Sequence, residues 1–118
     1  MDKISEVTLL LDFYGQLLTK RQYEIFELHY NNDLSLAEIA EQLNISRQGV
    51  FDSIKRGKTL LYQMEEKLGL VKKFLAHKKK AEGLLMYLSE LERESLEVST
   101  REILRKVEEG LKEIIDEF

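Results

Sequence analysis

An arginine and a glutamine side by side, Arg47-Gln48, directly follow a serine, Ser46. This is the grouping in the chain best suited to reading a nucleic acid. A guanidinium can grip guanine O6 and N7 together, and a carboxamide can do the same for adenine N6 and N7. The Ser46 hydroxyl sits where it could reach a phosphate or a base edge. Lys55, Arg56 and Lys58 follow further along the same segment and suit backbone phosphates. A second basic group, Lys72, Lys73, Lys78, Lys79 and Lys80, supplies point charges that need little geometry, as on a folded RNA. Both groups also have a plainer reading, because lysines on an exposed helix commonly do no more than solvate a face. Asp52 and Phe51 lie on or beside the outward face of the first group. A carboxylate repels phosphate unless it pairs locally, and Arg56 at i+4 is the expected partner. Otherwise the face meets a protein.

No other constellation competes. His29 falls between Leu28 and Tyr30 as a packing residue, His77 stands alone beside the lysines, and the chain has no cysteine. That leaves no zinc ligand set, and neither a glycine-rich phosphate loop nor a nucleophile elbow is present. The expectation is a non-enzymatic chain without catalytic residues, metal or cofactor.

Elements with strong local signals position the first group. Ser35 and Glu38 have capping-box spacing and open a helix at about Leu36, with Leu36, Ile39, Ala40 and Leu43 on one face. Asn44-Ile45 breaks the pattern. Ser46 then caps a second helix that carries Val50 and Ile54 inward. Two helices joined by a tight turn make a helix-turn-helix, whose second helix meets a groove with its first turn. Upstream, Ile4, Val7, Leu10, Leu11, Tyr14, Leu17 and Leu18 step by threes and fours and predict a helix over residues 4–18. Thr19 and Gln22 form another capping box, opening a helix through Tyr30 that Asn31-Asn32-Asp33 ends. These two helices form the floor of the motif.

The stretch SLAEIAEQLNISRQGVFDSIKR resembles region 4 of bacterial sigma factors, and resembles still more the YlxM family of small bacterial proteins. Leu11-Asp12-Phe13-Tyr14 and Leu17 to Gln22 carry the same likeness. It spans roughly residues 7–75, and beyond them only the helical character matches. The resemblance implies a regulatory component of the signal recognition particle pathway, acting on the particle's RNA or its GTPase. The motif by itself leaves open a sequence-specific DNA-binding regulator.

The 118 residues include no proline, so nothing interrupts long helices. The fold class is all-α: a three- to four-helix domain of the sigma region 4-like or winged-helix-like type over residues 1–68, then a long helical extension over residues 69–118. In the extension, Gly69 ends the recognition helix and Leu70 opens another. Ser95–Thr100 reads as a hinge. Ser99 and Glu102 read as a third capping box, ahead of Ile103, Leu104, Val107, Leu111, Ile114, Ile115 and Phe118. Such broad apolar faces need a cover, supplied by folding back onto the first domain or by a second copy; a homodimer is expected. The net charge of −4 is uneven: residues 1–46 hold 3 Lys/Arg against 8 Asp/Glu, residues 47–80 hold 10 against 3, and residues 81–118 hold 5 against 11. A local basic segment can contact phosphates in an acidic chain because exposed charges are screened beyond ~10 Å. The N-terminus lacks the basic-then-apolar order of a signal peptide, and no run reaches the ~20 apolar residues of a spanning helix. A cytoplasmic protein without membrane insertion follows as the expectation.

Overall fold

The computed structural model describes the backbone of residues 3–117 and the side chains of residues 5–117. Six α-helices and no strands occur among the described residues: α1 (Lys3–Tyr14), α2 (Lys20–Phe26), α3 (Leu36–Leu43), α4 (Arg47–Leu68), α5 (Leu70–Ser89) and α6 (Val98–Glu117). They fall into two compact units, Met1–Val71 and Lys72–Phe118. The side chain of Ile4 and the whole of Phe118, both expected at apolar face positions, lie outside the described residues.

In the first unit α1, α2 and α3 all pack on α4. The core is Val7, Leu10, Leu11 and Tyr14 from α1, Leu18 just ahead of α2, Ile25 and Phe26 from α2, Ile39 and Ala40 from α3, and Val50, Ile54 and Leu61 from α4. Gly57 lets α4 come this close. A Cβ there would stand 2.4 Å from Phe26 Cε1 and 2.7 Å from Cζ, so the ring occupies the space a side chain would need.

Two helix ends differ from the sequence expectation. The first helix stops as an α-helix at Tyr14 and tightens into a 3-10 turn, Gly15–Leu17, which swings Leu17 out to half exposure while Leu18 stays buried. The second turns into a π-helix over Glu27–Asn31. There the Asn32 amide donates five residues back to the Glu27 carbonyl at 3.1 Å. The His29 Nδ1–H donates to the Leu34 carbonyl at 2.8 Å, closing the loop before α3, and Tyr30 leans on Phe26 with ring centroids 5.5 Å apart.

Gly69 ends α4 in the left-handed region at φ 62°. The corner is tied from a distance. The buried Tyr14 hydroxyl donates to Glu65 Oε1 at 2.7 Å and accepts the Leu70 amide at 3.2 Å. The same carboxylate oxygen accepts the Val71 amide at 3.0 Å, so two orphan N–H groups at the start of α5 are satisfied from α1 and α4.

In the second unit α5 and α6 line common grooves, with the connection 90–97 between them. Arg93 anchors that connection: its guanidinium donates to the Leu88 carbonyl at 3.1 Å and to the Glu108 carboxylate on α6. The pairing holds the Glu108 carboxyl below the usual carboxylate range. The third capping box does not form. Helix α6 already starts at Val98, where the Glu97 carbonyl accepts the Arg101 amide at 3.0 Å, and the Glu102 carboxylate goes to Arg105 instead. The turn between the helices accordingly precedes most of the predicted hinge. No described residue of α6 is buried.

Candidate nucleic-acid interface

The helix-turn-helix is built from local bonds. The Ser35 hydroxyl accepts the Glu38 amide at 3.1 Å and the Glu38 carboxylate accepts the Ser35 amide at 3.1 Å. Those bonds hold the Glu38 carboxyl below its ordinary range. Asn44 ends α3 in the left-handed region at φ 56°, with the Ile45 amide returning to the Ala40 carbonyl at 3.0 Å. This is a Schellman-type end with asparagine in the place glycine usually takes. Ser46 then caps α4, its hydroxyl accepting the Gly49 amide at 2.9 Å. The Ser46 oxygen is thus occupied in starting the helix.

What α4 shows to solvent is a stripe. Arg47, Phe51 and Lys55 recur at i, i+4 and i+8 and are all exposed, Phe51 at 48%. Gln48 is exposed as well, but its carboxamide donates to Asp52 Oδ1 at 3.0 Å. Asp52 therefore takes Gln48 at i−4, not the predicted Arg56 at i+4. Arg56 is exposed. Lys58 is half-buried, with its ammonium 5.7 Å from the centroid of the Tyr30 ring. The first basic group is thus unequal: Arg47, Lys55 and Arg56 reach solvent, whereas Ser46, Gln48 and Lys58 have intramolecular partners.

Comparison with known families also points to a helix-turn-helix. A family model described as "Putative helix-turn-helix protein, YlxM / p13 like", UPF0122, matches residues 1–103. The chain belongs to this family. The UPF0122 protein of Acetivibrio thermocellus is 58% identical over 116 residues, covering 98% of this chain and 99% of the relative. That of Fusobacterium nucleatum is 43% identical over 111 residues, covering 94% and 97%, and that of Bacillus velezensis 41% identical over 108 residues, covering 92% and 98%. The likeness therefore runs well past the residues 7–75 that the motif alone carried. It takes in α5 and, in these relatives, most of α6.

Within the UPF0122 match, α5 carries the second basic group. Lys72 and Lys79 are seven residues apart, as are Lys73 and Lys80, so these four exposed lysines share one broad face. Lys78 does not join them. It follows Phe74 at i+4 and precedes buried Ala81 at i+3, and is itself half-buried. Phe51 is the member that sequence reasoning set aside. Its i−4 and i+4 neighbours, Arg47 and Lys55, were the signal that could have found it. No described group of His, Asp and Glu could hold a metal ion, and no described helix is long and apolar enough to cross a membrane.

Proposed function

We propose that this chain is a non-catalytic, cytoplasmic regulatory component of the signal recognition particle pathway, binding the particle's RNA or its GTPase through the helix-turn-helix. The observation that carries the reading is the solvent-facing stripe Arg47-Phe51-Lys55 on α4. An exposed aromatic ring between two cations can stack on an unpaired base while the cations meet phosphates, and unpaired, splayed bases are what proteins read in structured RNA. The family resemblance supplies the pathway. Residues 69–118 serve as the dimerisation region, so a homodimer presents two such stripes. A sequence-specific DNA-binding regulator is the weaker reading. The Gln48 carboxamide that would address adenine is held by Asp52, and that carboxylate lies beside the would-be groove face.

The test is a salt-titrated binding assay against a signal recognition particle RNA, an RNA of similar size and different fold, and random duplex DNA. Preference for the first, weakening steeply with salt and abolished in Arg47→Ala and Phe51→Ala, is expected. Equal weak binding to all three, unchanged in both variants, would rule out the nucleic-acid arm and direct the assay to the particle's GTPase. Tight binding to a selected duplex that disappears in Gln48→Ala would replace the reading with DNA recognition.

A further inference from the structure

Helix α6 carries a stripe that nothing in its own unit covers. Ile103, Val107, Gly110 and Ile114 stand at i, i+4, i+7 and i+11 on one face. Ile103 is 62% exposed, Val107 45% and Ile114 48%, and a Cβ added at Gly110 would meet nothing within 4 Å. Beside this stripe an apolar groove of about 400 Å³ opens between α5 and α6, lined by Leu84, Tyr87, Leu88, Leu91, Val107 and Leu111. Tyr87, on its α5 side, is 70% exposed.

The order of residues along the stripe is self-complementary. Ile103 and Ile114 are equidistant from the midpoint between Glu108 and Glu109, and so are Val107 and Gly110. A two-fold axis perpendicular to α6 at that midpoint sets each Ile103 against the partner's Ile114. It also seats each Val107 on the notch left by the partner's Gly110. The flanking charges lie on either side of that axis, Lys106 two and a half residues before it and Glu113 four and a half residues after it. Lys106 and Glu113, seven residues apart, share the outer edge of the stripe, are both exposed, and form no ion pair among the described residues. Antiparallel pairing about this axis sets Lys106 of each copy and Glu113 of the other on the same edge with an axial offset of about 3 Å, which a lysine side chain spans. Glu108 and Glu109, at the axis, are already occupied by Arg93 and Arg105.

From this order we infer that α6 is an isologous interface whose occupant is a second copy of this chain, packed antiparallel with Val107 on Gly110 and Lys106 on Glu113, and with the α5–α6 groove closed by the same contact. A second copy supplies both a Val107 for the notch and an opposite charge within reach of each edge. The inference rests on the homodimer reading above and assigns its surface and register.

Sedimentation equilibrium of the full chain at tens of micromolar is the experiment, with helix content followed by circular dichroism. The wild type sediments as a dimer. Gly110→Leu fills the notch and weakens self-association by roughly tenfold or more with helix content kept, since the site is open in the single chain. Lys106→Glu and Glu113→Lys each weaken it, and the double reversal restores it. A wild type that stays monomeric with full helix content overturns both the dimer and this interface. A dimer that tolerates Gly110→Leu, or that the double reversal fails to restore, overturns the register while leaving the dimer standing.

Discussion

Asp52 separates the kinds of partner at the residue scale. Its carboxylate is half-buried beside an exposed basic and aromatic stripe and accepts from Gln48. Against a polyanion it is a like charge at close range. Asp52→Asn, which keeps an acceptor for Gln48, should then raise RNA affinity by roughly threefold to tenfold at low salt and less at high salt. A basic protein surface as partner reverses the sign, and fluorescence anisotropy with each ligand reads the difference. Gly57 is the second residue with a sharp consequence. Gly57→Val forces a branched side chain into the fully buried Phe26 ring and should destabilise the fold by ~1–3 kcal/mol in urea denaturation. The same change at Gly83, where a Cβ meets nothing within 4 Å, should cost far less.

At the scale of elements, what was legible in the chain was local. The Thr19–Gln22 and Ser35–Glu38 boxes, the Ser46 cap and the Gly69 stop form as their spacing predicts, because each depends only on residues three or four apart. Partners that spacing does not single out, one of them distant and the others close in the chain, decided the rest. Nothing near Glu65 in the sequence announces that it caps α5 together with Tyr14, 51 residues away. The π-helix at Glu27–Asn31 is accompanied by Tyr30 packing on Phe26 and His29 reaching Leu34, contacts that periodicity does not encode. Ser99 had the spacing of a cap, yet Glu102 found a stronger partner in Arg105. The candidate site was legible in its residue types but not in their availability, since Gln48 and Lys58 are engaged within the chain.

Two predictions belong to elements. Tyr14→Phe removes a hydroxyl, on a side chain 3% exposed, that is bonded both as donor and as acceptor, and should cost ~1–3 kcal/mol. Burial first, and the bond to Glu65 second, raise the Tyr14 pKa above its ordinary 10.0. For an acid whose folded pKa is raised, the contribution to stability is complete below the unfolded value and fades as pH rises from there through the folded one. Wild-type stability should therefore decline above about pH 10, more steeply than in Tyr14→Phe, when urea midpoints are compared across that range. On α5, Gln at Lys72, Lys73, Lys79 and Lys80 should flatten the salt dependence of RNA binding, by up to about 0.7 of log–log slope for each phosphate that is no longer neutralised. Lys78→Gln, on the other side of the helix, should change it little.

For the whole molecule, charge and apolar surface are segregated along the chain. Residues 47–80 hold the positive excess, while residues 81–118 hold 11 Asp/Glu against 5 Lys/Arg and the exposed apolar stripe of α6. One stretch therefore offers itself to a polyanion and the next would repel one, which suits a chain that binds with its first part and associates through its last. The knot at the α4–α5 corner adds a statement about time. First-turn amides of a helix ordinarily trade their protons with water at once, because no carbonyl lies behind them. Here the Leu70 and Val71 amides are held by Tyr14 and Glu65. Deuterium should therefore enter those two positions late, only when α1 lets go of α4, and they would act as a clock for the opening of the first unit.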